Sequence, residues 1–294
     1  DESSVLNDKI LELYPNEPTA MRMKADILGD KDSVAAVELY DKAADIVMKT
    51  KGKPDIAMMW NSSLHLLRTR DFKRGWECWE LGFAKEVGTM GRNLIPQVKV
   101  LPRADKNKDF NPEHWTLVVV EQGIGDQILF LSVMEEAIKE FKNIFLIVEL
   151  RMKSIIERSF PNVQVGLPGL LESWQSNSLK KNGYIPLGSL PGRYRQSVDS
   201  FKNYKKAFLQ VNGDLYVQYQ QQLKTIANGR PIVGISWSGG YWAAQKRAKG
   251  LAIENWLPIF ERGALCVNLQ YGDTSKEEQF LKDKGFEFIT FPKV

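Results

Sequence analysis

The sequence predicts an α/β protein with a helical region in front. Residues 1–87 carry repeated amphipathic helical pairs and no strand signal, whereas from Trp115 onward continuous apolar strands alternate with amphipathic helices. A buried-type strand that stops at a glycine turn occurs twice, once from Trp115 and once from Pro231. This divides the α/β part into two halves, 115–229 and 230–294, preceded by a linker over 88–114. The second half, with three strands and two helices, is about half of a typical domain of this class. The chain opens at Asp1 and stops just after Pro292, so both ends read as truncations.

A chain of 294 residues with 43% hydrophobic content can bury a real core, and its length suggests about two domains. The net charge of +4, from 40 basic and 36 acidic residues, is too small to imply a nucleic-acid partner but leaves a mild attraction for phosphates. Cys78 and Cys266 lie far apart in apolar-rich surroundings and read as buried free thiols in a reducing compartment. The two histidines, His65 and His114, have no second ligand at metal spacing, so no metal site and no serine–histidine triad is expected. No apolar run approaches the roughly 20 residues that span a bilayer, and the N-terminus has no signal-peptide pattern. The expectation is a cytoplasmic protein without a membrane span.

In the helical region, Thr19 to Leu28 leads through a Gly29-Asp30-Lys31-Asp32 turn into a helix with Ala36, Tyr40 and Ala43 on one face. That small–aromatic–small face is the packing expected of the second helix of a tetratricopeptide repeat. A second pair runs through Trp60, Leu64 and Leu67, turns at Arg70-Asp71-Phe72, and continues through Gly75, Trp76 and Trp79. Equivalent positions, Ala36 to Gly75 and Tyr40 to Trp79, are 39 residues apart, and the stretch Lys49 to Lys53 accounts for the excess over the standard repeat. Such pairs need neighbours, so either a further helical unit precedes Asp1 or this region stacks on the domain that follows. Trp60, Trp76, Trp79 and Phe83 read as that packing surface. Breakers at Gly88, Gly91, Pro96 and Pro102 mark the linker, with one short edge strand expected near Val98 to Leu101.

The first half begins with strand Thr116 to Glu121, the turn Gly123-Ile124-Gly125-Asp126-Gln127, and a helix from Asp126 to Phe141. Strand Ile144 to Leu150, helix Lys153 to Phe160, and strands near Val163 to Val165 and Tyr184 to Leu187 follow. Gly123, Gly125 and Gln127 are substrate-binding candidates because glycines at a strand-to-helix turn let backbone approach a ligand. Asp126 would repel a phosphate there; it suits a general base, or an ordinary N-cap. The dinucleotide fingerprint fails because Ile128 stands where its third glycine belongs, and no Lys-Ser/Thr follows as in a P-loop. Arg193 and Arg195, in the loop Gly188 to Arg195 after a strand end, either contact an acceptor or phosphate or belong to a solvated basic loop.

At Pro231 to Gly240 the strand-to-glycine-turn design recurs, now followed by Lys246, Arg247 and Lys249 instead of an acid. Ser236, Ser238, Gly239 and those cations supply the hydroxyl and backbone donors, and the compensating charge, that a diphosphate requires. A basic surface loop is the equally simple alternative. Helix Ile253 to Arg262, strand Leu265 to Leu269, helix Lys276 to Lys284 and strand Phe286 to Phe291 complete the stretch.

The runs Asp71 to Glu80, Glu121 to Gln127, Pro186 to Pro191, Val233 to Gly239 and Asn268-Leu269-Gln270-Tyr271, in that order, resemble bacterial tetratricopeptide-repeat proteins with a heptosyltransferase-like glycosyltransferase domain. The resemblance covers nearly the whole chain from about residue 20. It implies a GT-B arrangement of two Rossmann-like halves facing across a cleft, no metal or other cofactor, and a nucleotide-sugar donor held mainly by the C-terminal half. It further implies Asp126 as the base that deprotonates an acceptor hydroxyl, on a protein or glycan; helical repeats in general present a concave groove suited to docking an extended polypeptide. Ser236, Ser238 and Lys246 or Arg247 map onto donor-phosphate contacts. The family often has arginine where Lys249 stands, and a lysine offers a point charge, not a fork. The family also keeps donor-binding residues beyond the last residue here, so this stretch alone is expected to lack part of its donor pocket. The rival classes are a non-catalytic helical scaffold with a degenerate transferase domain and, disfavoured by the broken glycine fingerprint, a nicotinamide or flavin oxidoreductase.

Overall fold

A computed structural model describes residues 2–202, 207–239 and 250–291. The chain forms two compact units, Asp1–Gln210 and Val211–Val294. The helical region therefore belongs to the same unit as the first sheet, and the boundary lies before the helix at Gly213.

The first unit opens with α1 (Glu2–Leu13), α2 (Pro18–Leu28), α3 (Ser33–Lys51), α4 (Ile56–Arg68) and α5 (Phe72–Glu80). Aspartates set the starts: Asp32 accepts from the Val34 and Ala35 N–H groups, Asp55 from Met58 and Asp71 from Arg74, each satisfying donors the first turn leaves unpaired. Gly52 ends α3 in the left-handed conformation, φ 67°. Ala25, Ala36, Ala43 and Tyr40 are buried together with Met21, Val47 and Met58, so the small residues let the helices approach around one aromatic ring. The Tyr40 hydroxyl donates to Asp26.

His65 of α4 packs on the bare face of Gly29, where an added Cβ would lie 1.9 Å from its ring, and stacks on Tyr40 with centroids 5.8 Å apart. Burial pushes its pKa below the ordinary histidine value; Arg68 adds to this, while Asp26, Asp30 and the Gly29 backbone oppose it. The unfolded chain then takes up this proton at a higher pH than the folded one. Stability from His65 is accordingly intact above about pH 6.5 and is lost as pH falls from there towards and through the lower value of the folded state. The melting temperature is expected to drop more between pH 7.5 and 5.5 in the wild type than in His65→Gln; equal slopes would remove histidine from the explanation.

The sheet of this unit contains β1 (Trp115–Val119), β2 (Asn143–Ile147), β3 (Gln164–Gly166) and β4 (Lys181–Pro186), all parallel in the order β3-β2-β1-β4. Val118, Ile144, Leu146 and Ile185 point into one core with Phe130, Leu131, Met134 and Trp79; Leu117, Val119, Phe145, Ile147 and Tyr184 point into the other with Leu94, Val98, Leu171 and Trp174. Both faces are covered, which is why the central strands β1 and β2 are almost continuously apolar. The first face is covered by α6 (Ile124–Phe130), α7 (Met134–Glu140) and α8 (Leu150–Ser159), α6 and α7 being joined by the 3-10 turn Leu131–Val133. α9 (Leu171–Ser176) lies on the other.

Two expectations are corrected here. The segment Val98 to Leu101 is not an edge strand: Pro96–Val98 forms a 3-10 turn, Val98 is fully buried against the sheet, and the strand-like contact is instead an isolated bridge between Arg103 and Tyr184 beside β4. The run Gly188 to Arg195 is not an open loop either. It forms the 3-10 turn Leu187–Ser189 and α10 (Leu190–Tyr194), with Pro191 in the first helical turn, where its missing N–H costs nothing.

The second unit contains α11 (Gly213–Ala227), capped by the Asn212 side chain and closed by left-handed Asn228, followed by β5 (Ile232–Ile235). Then come α12 (Leu257–Phe260), β6 (Leu265–Asn268), α13 (Ser275–Asp283) and β7 (Phe288–Ile289). The strands are parallel in the order β5-β6-β7, over a core of Ile235, Trp237, Ile253, Phe260, Cys266 and Leu281. Both cysteines are buried free thiols. Among the described residues, no helix is long and apolar enough to cross a membrane.

Candidate active site

In the first sheet the chain leaves β1 to one side for β2 and returns to its other side as β4, so the crevice at the carboxyl ends of β1 and β4 is the topological switch point, where open α/β sheets bind ligands. The turn after β1 carries Asp126 to this edge. The N-cap of α6 is Gly123, with φ −61° and no side-chain cap, and Asp126 lies within the first turn. The N-cap reading of Asp126 is thus replaced: it is exposed, and it makes no hydrogen bond or ion pair among the described residues. Its Oδ2 sits 3.5 Å from where a Cβ on Gly123 would be, and a Cβ on Gly125 would meet nothing within 4 Å. Neither glycine has positive φ, so the bare backbone beside the carboxylate is not required by turn geometry.

Gln127 faces inward. It is 2% exposed, and its Nε2 donates to the Gln122 carbonyl at 2.7 Å and to Glu149 Oε1 at 3.2 Å, bracing the Asp126 turn against the segment after β2. Arg193 is held by Glu140 through two guanidinium hydrogen bonds, and Tyr194 donates to the same carboxylate at 2.7 Å. The hydrogen bond from Arg193 holds the Glu140 carboxyl below the ordinary glutamate range. Arg195 is buried and pairs with Glu136 at 2.6 Å, whereas Arg193 stays exposed on α10 with its guanidinium held by Glu140.

The feature that sequence reasoning missed is a buried ionic clasp under the crevice. Arg92 Nη2 meets Glu121 Oε1 at 2.5 Å, and neither side chain has any exposed area. Arg92 also donates to Glu80 Oε1 at 2.9 Å and to Ser189 Oγ at 3.0 Å, while the Gly188 N–H donates to Glu121 Oε1 at 3.1 Å. The clasp joins the end of β1, the turn after β4 and α5. Trp79 of α5 reinforces it by donating from Nε1 to the Gly188 carbonyl at 2.9 Å, and Trp76 donates to the Arg195 carbonyl at 2.8 Å. Burial pushes the Glu121 carboxyl up, against Arg92 and the Gly188 N–H, which hold it down. For Glu80 the balance reverses: burial raises it, but Arg92, Ser189 and Arg103 outweigh burial and leave it below the ordinary range.

In the second unit, Ser236, Trp237, Ser238 and Gly239 follow β5, and Gln270 from the turn after β6 holds the first three. Gln270 Oε1 accepts from Ser236 Oγ at 3.1 Å, Trp237 N at 3.0 Å and Ser238 N at 2.9 Å. Asn268 anchors that turn by accepting from the Gln270 N–H at 2.9 Å and donating to Thr274 and Glu278. Lys246, Arg247 and Lys249 lie outside the described residues. Asn268 and Gln270 belong to a motif visible in the sequence, but spacing alone gave them no role.

No family model matches the chain. Protein FlbA of Caulobacter vibrioides is 26% identical over 298 residues, covering 96% of this chain and 48% of that protein, so the chain spans about half the length of the curated relative it matches. Among solved structures, a point mutant of the Thermobaculum terrenum O-GlcNAc transferase aligns with 99% of this chain and 71% of its own, at 12% identity and a TM-score of 0.28.

Proposed function

We propose that the chain belongs to a metal-independent glycosyltransferase that moves a sugar from a nucleotide-sugar donor to a hydroxyl of a protein or glycan. The observation that carries this is Asp126: an exposed carboxylate with no described partner, at the switch-point edge of a parallel sheet and preceded by two glycines, Gly123 and Gly125, that the backbone does not need. In the proposed step Asp126 takes the proton of the acceptor hydroxyl as its oxygen bonds to the anomeric carbon, and the nucleoside diphosphate leaves with the electrons of the broken bond. Ser236, Ser238, Gly239 and the cations Lys246, Arg247 and Lys249 stabilise that leaving diphosphate. A cavity of about 490 Å³ between α3, α4 and α5, lined by Tyr40, Asp41, Met48, Met59, Arg74 and Glu77, supports docking of a polypeptide acceptor on the helical region.

Calorimetric titration with a panel of nucleoside diphosphates tests the reading. A transferase takes up at least one with measurable heat and a rise in melting temperature, whereas an idle scaffold shows neither. Gly125→Ala separates backbone access from folding. The added methyl enters open space on a helical residue, so stability is expected to hold or rise by up to about 1 kcal/mol. Transfer to the acceptor should nonetheless fall; unchanged transfer would show that no substrate approaches this turn.

A further inference from the structure

The Gln270 side chain lies along the Ser236 to Ser238 backbone, and its single amide oxygen receives three donors: Ser236 Oγ–H, Trp237 N–H and Ser238 N–H, all at 2.9–3.1 Å. An amide oxygen has two lone pairs, so one donor more converges than this acceptor serves well. Three convergent donors, two of them successive backbone N–H groups, suit an anionic oxygen, which makes shorter and stronger hydrogen bonds. Ser236 is exposed and Gln270 half-buried, so the group of donors lies at the surface.

The rest of Gln270 is arranged so that its side chain can leave. Its backbone N–H is fixed separately by Asn268 Oδ1 at 2.9 Å, and Asn268 is tied in turn to Thr274 and Glu278. Among the described residues the amide nitrogen donates to two carbonyls, those of Ser238 at 3.0 Å and Tyr271 at 3.1 Å, and water can replace it at both.

We propose that Gln270 is a placeholder: its amide oxygen occupies an oxyanion nest formed by Ser236, Trp237 and Ser238, and a phosphoryl oxygen of a diphosphate displaces it on binding. The inference rests on the donor-side reading of Ser236 and Ser238 given above. It has a consequence of unusual sign. The internal oxygen competes with the ligand, so apparent affinity is reduced by the fraction of molecules in which the nest is filled. Removing the side chain strengthens binding, although it deletes five hydrogen bonds among the described residues.

The test is calorimetric titration of the full chain with inorganic pyrophosphate and, separately, with nucleoside diphosphates, for the wild type, Gln270→Ala and Gln270→Glu. Gln270→Ala is expected to bind pyrophosphate about 3- to 10-fold more tightly. Gln270→Glu, which keeps the shape but seats a charged oxygen in the nest, is expected to bind at least about 10-fold more weakly at pH 7.5. In hydrogen exchange, the Trp237 and Ser238 amides should lose protection in Gln270→Ala and regain it when pyrophosphate is added. Equal or weaker binding by a folded Gln270→Ala would make Gln270 a structural brace and overturn the proposal. If that variant does not fold, Gln270→Glu decides, and binding as tight as the wild type overturns it. Wild-type binding of a nucleoside diphosphate without the predicted changes leaves the transferase reading standing and removes the placeholder alone; no binding by any form removes both.

Discussion

Arg92→Ala is expected to destabilise the first unit by about 3–5 kcal/mol, measured by chemical denaturation, because it leaves a carboxylate buried without its counter-charge. Glu121 has no exposed side-chain area, and among the described residues its remaining donor is the Gly188 N–H at 3.1 Å. The loss spreads beyond one pair. The same guanidinium serves Glu80 and Ser189 and lies 4.2 Å from the ring centroid of Phe83 and 5.1 Å from that of Trp79. Arg92→Lys should recover only part of the stability, since an ammonium cannot meet Glu121 and Glu80 with a planar fork. The decisive comparison is the cycle with Glu121→Gln. Neutralising the acid removes most of the reason for the penalty, so the double variant should be more stable than the sum of the two single losses predicts. Simple additivity would mean that the clasp acts by filling space.

The clasp also shows where the sequence stops being legible. The order of the strands, the apolar runs of β1 and β2 and the glycine turn after β1 follow from periodicity, and each described strand lies within a few residues of its expected place. Arg92 stands among glycine and proline breakers, where a cation ordinarily means solvent. Its partner did leave a signal: Glu121 comes two positions after a strand whose last four residues are buried, and a charge so near a dry strand needs an opposite charge. The pairing itself, between segments 29 residues apart, depends on tertiary closure that no local pattern encodes. Two prolines open helical turns where other structure was expected. Pro191 opens a helix instead of keeping a loop open, and Pro96 starts the turn that sends Val98 into the core in place of an edge strand. At the site, the exposed Asp126 and its glycines were readable from the turn, whereas the inward rotation of Gln127, the capture of Arg193 by Glu140 and the bracket made by Gln270 depend on neighbours distant in sequence.

Asp126→Asn is the variant on which the catalytic reading turns, with an expected loss of about 10² to 10⁴ in turnover if the carboxylate is the base. The structural contribution of this side chain can be bounded independently. It is exposed, has no described hydrogen bond or ion pair, and lies in the first turn of α6, where an acid's interaction with the helix terminus is worth about 0.3–1 kcal/mol. A hundredfold loss of rate corresponds to about 2.7 kcal/mol, more than that terminus effect supplies. Asparagine keeps the volume and can still accept a hydrogen bond, so the variant should fold with a nearly unchanged melting temperature and bind nucleoside diphosphate as the wild type does. Loss of transfer with folding and donor affinity intact isolates proton removal from the acceptor. Transfer at the wild-type rate would strip Asp126 of its role, and with it the reason for reading the two exposed glycines as room for a substrate.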